Sequence, residues 1–404
     1  MKVFKLSIAL LFICSSVLLA QEKNEALEEY ISAPKQQQFS LDYEKNEAES
    51  SKLRDSWIAP LNLQYSYSKS NPYTSEQTTQ NAAIRMDQPI FQSGGIYYGI
   101  KFAEASRIYS NYSVDVAKRK LVKDAVSLLM QIKQTDLKVE RQNLQIKNSQ
   151  INLELKKEQY LNGQLDSGFL DNAVIEKNTV TQTLYDIETN KEKLISKFQA
   201  ISDTPYESAA IPQLEILNEE EFLQYNIVLN LSQSDIEKNR YNKEITVAKY
   251  LPKISFTAGY NWNKSENQLF SASDGERDYY DYGIRANIPI DINTFQDIES
   301  SRIDFLKSKV VVEDKKREQS ALFEQVMQNI SNFEKKKLLS VQNKELYQKL
   351  LDDTKELFAA GYKTGYDVEI LQNSVKIQDL DVKIYEIDKQ LELLTLYEMY
   401  KHAI

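Results

Sequence analysis

Two stretches of this sequence lack the residues that normally interrupt a helix. Between residues 97 and 160 the only glycine or proline is Gly99, and between residues 294 and 360 there is none. Glycine and proline are the strongest breakers of a helical pattern, so each stretch predicts one continuous helix. At about 1.5 Å per residue, each helix measures roughly 95 to 100 Å. A single globular domain is too small to bury a helix of that length from end to end.

Each long stretch runs into a short segment with two glycines, and a second helical stretch follows. We call residues 160–168 the first tip and residues 358–365 the second tip; their glycines are Gly163, Gly168, Gly361 and Gly365. The returning stretches carry apolar residues at intervals of three and four, with one gap: Ile377, Leu380, Ile384, Ile387, Leu391 and Leu394, and Val180, Leu184, Ile187, Leu194, Phe198 and Ile201. A mean spacing of about 3.5 predicts a left-handed coiled coil. The core stripe of an ordinary helical bundle explains the same positions, but the helix length and the internal repeat described below favour the coiled coil.

Four other segments have the alternation of β-strands, and they form two pairs. The apolar positions of the first, third and fourth segments are Leu61, Leu63, Tyr65 and Tyr67; Ile254, Phe256, Ala258, Tyr260 and Trp262; and Tyr280, Tyr282, Ile284, Ala286 and Ile288. The second segment, residues 81–90, is less regular and follows a polar loop at residues 70–80. Each segment is about as long as a tilted strand that spans a membrane.

Six aromatic residues of these segments predict a belt at a membrane interface, where an apolar ring with a polar tip is favoured. They are Tyr65, Tyr67, Tyr260, Trp262, Tyr280 and Tyr282. In a soluble β-sandwich the same rings would form the core. The belt is favoured because the alternating partners are small or polar and no further segments suggest a second sheet.

An internal repeat relates the two strand pairs. Residues 83–90 (AIRMDQPI) correspond to residues 283–290 (GIRANIPI), 200 positions later, and Pro60 similarly matches Pro252. A repeat this long indicates a duplicated half-molecule rather than a solenoid. We therefore expect two halves, residues 57–203 and 250–404, each a β-hairpin followed by a helical hairpin.

Two further segments complete the predicted organisation. Residues 204–249 predict a lateral subdomain with a connecting helix, packed with an N-terminal helical segment at residues 21–56. The run Glu219-Glu220-Glu221 in this subdomain is interpreted as the solvated first turn of a helix, which the helix dipole favours.

The first 20 residues have the pattern of a secretory signal peptide. Lys2 and Lys5 precede an apolar run at residues 8–14, and Ala20 is the expected cleavage point. The run is short for a membrane anchor. Loss of the signal would take the formal net charge from −9 to −11, because two lysines are removed with it. Beyond residue 20 no segment has about 18 consecutive apolar residues, so any membrane span must consist of strands.

The composition argues against catalysis and against nucleic-acid binding. The sequence contains one histidine, His402, and one cysteine, Cys14, whereas His/Cys metal sites, catalytic triads and Cys-His dyads need these residues in combination. We therefore expect no catalytic residues, no cofactor and no metal site. The pI near 5.1 is opposite to the basic excess of a nucleic-acid surface.

Four strands cannot close a membrane barrel, because open edges would leave unpaired backbone groups in lipid. Chains must therefore associate, and a dimer would supply eight strands and a trimer twelve. An eight-stranded barrel is largely filled by its own side chains, whereas a wider one leaves room for a pore.

In this organisation the sequence resembles the TolC family of outer-membrane efflux and secretion channels. The resemblance rests on the order and duplication of the segments 250–252 (YLP), 88–91 (QPIF), 288–291 (IPID) and 361–368 (GYKTGYDV). It implies an α+β membrane protein of the Gram-negative outer membrane that extends into the periplasm. Three identical chains would form a twelve-stranded β-barrel, and their long coiled-coil helices would form a periplasmic α-barrel. The partners implied are outer-membrane lipid, a periplasmic adaptor (membrane fusion) protein and an inner-membrane pump of RND or ABC type, in a tripartite efflux or type I secretion system.

The resemblance also implies that the tips form the periplasmic entrance. Asp367 looks like the acidic position of the family's tip motif, and it and Lys363 are the aperture candidates. A ring of carboxylates would attract cations, and an Asp-Lys link between chains could hold the tips together; alternatively both residues are solvated at a turn. Asp166 and Asp171 are the candidates in the first half, although its two glycines stand one residue further apart.

A second function stays open at this point, namely a soluble periplasmic or surface coiled-coil scaffold without channel activity. For the channel, the acidic balance of the chain predicts a preference for cations in the lumen.

Overall fold

The computed structural model describes residues 29–71, 76–267 and 275–401. The predicted signal peptide, Cys14 and His402 lie outside the described residues. Within them, the chain forms seven helices and four strands. In chain order these are α1 Ala33–Arg54, β1 Asn62–Ser70, β2 Gln77–Phe91, α2 Gly95–Leu161, α3 Ser167–Gln199, α4 Glu219–Gln224, α5 Ile227–Lys249, β3 Lys253–Asn267, β4 Gly275–Asn287, α6 Thr294–Ala359 and α7 Gly365–Met399.

The two long helices are present as predicted. Helix α2 has 67 residues and α6 has 66, and neither is interrupted. Each is followed by a tip and a returning helix, α3 of 33 residues and α7 of 35. None of the helices in the described ranges combines the length and the apolar character needed to cross a membrane.

The four predicted strands are also confirmed, but their ends differ from the prediction. Leu61 lies outside β1, and β3 continues past Trp262 to Asn267. Strand β2 begins at Gln77 rather than at residue 81, because residues 77–80 pair with β1 on one side and β3 on the other. Strand β4 begins at Gly275 and ends at Asn287, so Ile288 lies outside it. At its start Glu276 faces Lys264 across the ladder, and opposite charges on facing strands stabilise such a pair.

The chain forms two compact units, and each takes segments from both halves of the sequence repeat. Of the described residues, the helical unit comprises 29–40, Asp115–Val228 and 316–401. The sheet unit comprises Leu41–Val114 and Leu229–Lys315.

Helix α7 is central to the core of the helical unit. Four of its predicted seam residues, Ile377, Leu380, Ile384 and Leu394, are buried. Leu394 packs with Val126 and Met130 of α2, while Leu393 and Leu396 pack with Phe323 and Val326 of α6. Ion pairs accompany this packing, such as Lys337 Nζ to Glu386 Oε2 at 2.5 Å. The predicted seam therefore packs on α2, and Leu393 and Leu396, which lie outside the predicted seam, join α7 to α6.

The start of the described N-terminal segment contacts the connection after α3. The Tyr30 hydroxyl donates to the Ala210 carbonyl at 2.9 Å, and the Ala33 amide donates to the Asp203 carboxylate at 2.9 Å. All these residues belong to the helical unit.

The glutamate run forms the first turn of α4, as predicted, but it is not simply solvated. Asn218 caps the helix, and its side chain accepts the Glu220 amide. Glu219 accepts a hydrogen bond from Ser320 at 2.5 Å, and Glu221 accepts one from the Tyr400 hydroxyl. Two of the three carboxylates therefore tie α4 to the interior of α6 and to the C-terminal cap of α7, because the fold brings hydroxyl donors to them that the local sequence does not reveal.

Candidate functional site

The four strands form one antiparallel sheet with the order β1-β2-β3-β4. The register places residues side by side in rows that cross all strands. In one such row Leu63 faces Ile84, Ile84 faces Tyr260, and Tyr260 faces Tyr280. Because side chains alternate along a strand, this register divides the sheet into an apolar face and a polar face.

The apolar face is unusually exposed. It carries Leu63, Tyr65, Tyr67, Ile84, Met86, Phe256, Ala258, Tyr260, Trp262, Tyr280, Tyr282 and Ile284. The side chains of Leu63, Tyr280, Tyr282 and Ile284 are each at least 74% exposed. A contiguous apolar surface of this kind marks a protein or membrane contact rather than a water-facing wall.

All six aromatics predicted for the belt lie on the apolar face. Five of them occupy three neighbouring rows toward the far ends of the hairpins, and Tyr282 lies one row nearer the helices. In these rows the Tyr260 hydroxyl donates to Asp278 at 2.9 Å and the Trp262 indole donates to Glu276 at 2.6 Å. The aromatic rings thus lie on an apolar surface, while their O–H and N–H groups bind carboxylates. This arrangement is typical of aromatic side chains at a boundary between apolar and aqueous surroundings.

The polar face carries charged side chains that pair across strands. Arg285 Nη1 of β4 lies 3.1 Å from Asp87 Oδ2 of β2. Arg85 donates to the Asn261 side chain at 3.2 Å, and Asn261 in turn donates to Asp281 at 2.8 Å. Asn261 is only 4% exposed, and its side-chain amide is fixed on this face by its hydrogen bonds to Arg85 and Asp281.

The sheet has two open edges. Strand β1 and strand β4 each pair on one side only, and in the described ranges no other strand continues the ladder. An open edge presents a row of main-chain donors and acceptors to whatever lies beside it.

The two tips share one backbone geometry. In the first tip the Gly163 amide donates to the Tyr160 carbonyl and the Gln164 amide to the Gln159 carbonyl; in the second, Gly361 donates to Phe358 and Tyr362 to Leu357. These are the two bonds of the Schellman motif that ends a helix. Gly163 and Gly361 have φ values of 71° and 80°, a region in which glycine is strongly preferred.

A cap on the returning helix follows each Schellman turn at the same distance. Asp166, the cap of α3, accepts the Gly168 amide at 2.7 Å. Thr364, the cap of α7, accepts the Asp367 amide, and Asp367 accepts the Thr364 amide at 2.9 Å, which completes a capping box. The first tip is therefore no longer than the second, because its extra residue lies inside the helix.

The aperture candidates occupy different positions in this geometry. Asp166 is a cap, Asp171 is exposed on α3, and Asp367 is the third residue of α7. Lys363 Nζ lies 3.8 Å from Asp367 Oδ1 of the same chain. The first half thus places Phe169, not Asp166 or Asp171, where the second half has Asp367.

The pKa of Asp367 is lowered from its usual value. The main cause is the hydrogen bond from the Thr364 backbone, and the Thr364 hydroxyl and the charge of Lys363 act in the same direction against partial burial. A carboxyl whose pKa is lower in the folded state stabilises that state above its ordinary pKa. The contribution of this cap is therefore complete at neutral pH and is lost as the pH falls through the lowered pKa.

The tip glycines give a direct test of this geometry. Gly361→Ala is expected to destabilise the second tip by about 1 kcal/mol, because alanine is strained at positive φ. Gly365→Ala is the matched control, since Gly365 has ordinary helical geometry and open space around its missing side chain. Hydrogen exchange of the backbone amides at positions 361 and 362 should accelerate several-fold in Gly361→Ala only. Equal exchange rates in both variants would contradict the Schellman turn with positive φ at residue 361.

Within the described residues, no group of three or more His, Cys, Asp or Glu side chains is placed to hold a metal ion.

The sequence analysis did not predict the Thr364 cap or the hydrogen-bonded set of Arg85, Asn261 and Asp281. The T-x-x-D pattern at residues 364–367 was a readable signal for the first. The second depends on which strands become neighbours, and the sequence does not state that.

Comparison with solved structures identifies the fold. The outer membrane protein VceC of Vibrio cholerae superposes with a TM-score of 0.69 at 13% identity, covering 94% of this chain and 97% of its own. CusC, whose structures describe conformational changes accompanying folding and transmembrane channel formation, superposes with a TM-score of 0.71 at 14% identity, covering 94% of this chain and 92% of its own. The Campylobacter jejuni outer membrane channel CmeC superposes with a TM-score of 0.70 at 11% identity, covering 93% of this chain and 85% of its own.

The chain has the fold of outer-membrane channels. The architecture predicted from the sequence, four strands with long paired helices, is therefore confirmed. No protein-family model matches the sequence, and no curated protein sequence matches it. The likeness resides in the three-dimensional arrangement rather than in sequence identity.

Proposed function

We propose that this chain is one subunit of an outer-membrane exit duct, a passive conduit that carries solutes from the periplasm to the exterior. The observation that supports this most strongly is the two-faced sheet. One face is exposed and apolar, the other carries paired charges, and the fold is shared with outer-membrane channels. In a soluble scaffold the apolar face would lie against water.

The dimensions of the apolar face agree with a membrane span. On β3 the apolar side chains run from Ile254 to Trp262. This run of nine residues matches the roughly 9 to 11 residues of a tilted membrane-spanning strand. Outer-membrane strands present such an apolar band flanked by aromatic girdles, so outer-membrane lipid is the proposed partner of this face.

The open edges support association into a homotrimer. In lipid every unpaired backbone group costs several kcal/mol, so β1 of one chain must pair with β4 of another. Three chains give twelve strands and an interior wide enough for solutes, whereas the eight strands of a dimer would be filled by side chains. The polar face, with its paired charges, would line the water-filled interior.

The remaining partners follow from the resemblance to the TolC family. We infer docking to a periplasmic adaptor (membrane fusion) protein and to an inner-membrane pump of RND or ABC type, in an efflux or type I secretion system. The chain itself would perform no chemistry. The tips would form the periplasmic entrance, with Asp367 and Lys363 near its opening. Asp166 lies in the first tip, and Asp171 follows it on α3.

Conductance decides between the duct and the soluble scaffold. The purified full chain is expected to require detergent, to run as a trimer, and to give single-channel currents in a planar bilayer that favour cations. Deletion of the gene should abolish export by the system to which the duct belongs. Extraction without detergent together with the absence of conductance would reject the duct and leave the scaffold.

A further inference from the structure

The polar face concentrates four charged side chains in neighbouring rows on the helix-proximal half of the sheet. Arg85 and Asp281 lie in the row of Gly259, Asp87 lies in the row of Thr257, and Arg285 lies in the row of Ser255. The only other ionisable groups of this face on the described strands, apart from tyrosine, are Lys253 and Arg277, nearer its two ends. Two positive and two negative charges therefore occupy one short segment of the proposed wall.

The first pair, Asp87 and Arg285, forms an ion pair across strand β3. Asp87 belongs to β2 and Arg285 to β4, which are separated by β3 and therefore by about 9.6 Å. Their side chains nevertheless meet at 3.1 Å, and both are more than half exposed. The residues of β3 between them, Ser255 and Thr257, are small enough for the arginine to pass over.

The second pair is joined through an amide. Asn261 accepts from Arg85 and donates to Asp281, so opposite charges stand on either side of one buried side chain. Gly259 makes room for this arrangement. A Cβ atom at Gly259 would lie 2.8 Å from Asp281 Oδ1, closer than real side-chain contacts allow.

We propose that Arg85, Asp87, Asp281 and Arg285 form a charge-balanced segment of the duct wall that admits solute ions of either sign. This inference rests on the proposed function for the identity of the wall. Each charge is held near an opposite one, so the segment carries no net charge. Any cation preference of the whole duct then arises elsewhere, with the tips as the first candidate.

The consequence is a sign reversal that depends on which partner is removed. Asp87→Asn leaves Arg285 without its counter-charge and makes the segment attract anions. Arg285→Gln leaves Asp87 alone and makes it attract cations. The double variant is neutral again and behaves as the parent. An exposed ion pair contributes little to stability, so all three variants are expected to fold.

A single cysteine placed in this segment reports the local field. Cys14 is the only cysteine in the sequence, so Thr257→Cys in a Cys14→Ser background gives one reactive thiol beside Asp87 and Arg285. The ratio of its reaction rates with an anionic and a cationic methanethiosulfonate is measured on the detergent-solubilised full chain. We expect Asp87→Asn to raise the anionic-to-cationic ratio by about twofold at 0.1 M salt, and more at lower salt.

The remaining variants complete the cycle. Arg285→Gln is expected to lower the ratio by a similar factor, and the double variant to restore it. Lys45→Gln on α1, which removes an exposed positive charge outside the sheet, is the matched control and should leave the ratio unchanged. An unchanged ratio in both single variants, or an equal shift in the Lys45 control, would overturn the inference.

The same proteins in planar bilayers separate this inference from the proposed function. If the anionic-to-cationic rate ratios shift as expected and the chain conducts, both the charge-balanced segment and the duct are supported. Conduction with ratios that do not shift rejects the balanced segment and retains the duct. Shifted ratios without any conduction reject the duct and retain the paired charges as a property of the sheet.

Discussion

For the proposed outer-membrane trimer, replacing Tyr282 with arginine is expected to remove most of the folded protein from the membrane. Tyr282 is 74% exposed on the apolar face and lies opposite Ala258, near the middle of the apolar run of β3. It lies one row inside the other five aromatics, so we expect it to face the hydrocarbon and not the membrane interface predicted for it from the sequence. An arginine near the bilayer midplane costs about 2 to 4 kcal/mol on the lipid face of a barrel, and each chain of the ring would bear that cost. In a soluble scaffold the same change at an exposed position would be nearly neutral, so the variant separates the two functions.

Tyr279→Arg is the matched control for this experiment. Tyr279 lies on the same strand, is also exposed, and faces the other side of the sheet beside Asn261. The amount of folded trimer in outer-membrane fractions is the measurement, with folding into lipid vesicles as a second assay. Equal yields of the Tyr282 and Tyr279 variants would show that the apolar face does not meet lipid.

In the proposed channel, neutralising Asp367 is expected to weaken block by multivalent cations added on the side of the tips. Three symmetry-related carboxylates around one opening would hold such ions more strongly than a single exposed group. The structure adds a complication, because Asp367 also closes the capping box of α7. A change in block therefore has to be separated from a change in the stability of the tip.

Two substitutions achieve this separation. Thr364→Ala removes the cap, at a cost of about 1 kcal/mol, and keeps the carboxylate of Asp367. Asp367→Asn removes the charge and keeps a side-chain oxygen that can accept the Thr364 amide. Cation block should fall in Asp367→Asn and persist in Thr364→Ala. Asp171→Asn, on α3 just after the first tip, is the comparison that removes the same charge. Block that survives in Asp367→Asn would leave Asp367 with the role of a cap only.

The elements that sequence reasoning located best are those whose signal is local and long. The absence of breakers located α2 and α6, and alternation located the apolar face of β3. The strand ends were less accurate. Residues 77–80 look like loop when taken alone, yet they belong to β2 because strands on both sides offer hydrogen bonds. Pairing partners far along the chain determine these boundaries.

The tips illustrate a second limit. The spacing of glycine pairs suggested tips of unequal length, since Gly163 and Gly168 stand further apart than Gly361 and Gly365. The hydrogen bonds give equal turns, because only the first glycine of each pair needs positive φ. The second glycine of each pair lies inside a helix, where its position carries no information about the turn. Cap residues would have been the better markers.

The two open edges of the sheet also determine how assembly can proceed. In the proposed trimer, three separate chains have six free edges and each edge-to-edge contact pairs two of them, so an open row of any length still ends in one free β1 and one free β4. Only the closed ring leaves no unpaired edge in lipid. We therefore expect closure of the ring to coincide with its insertion into the bilayer.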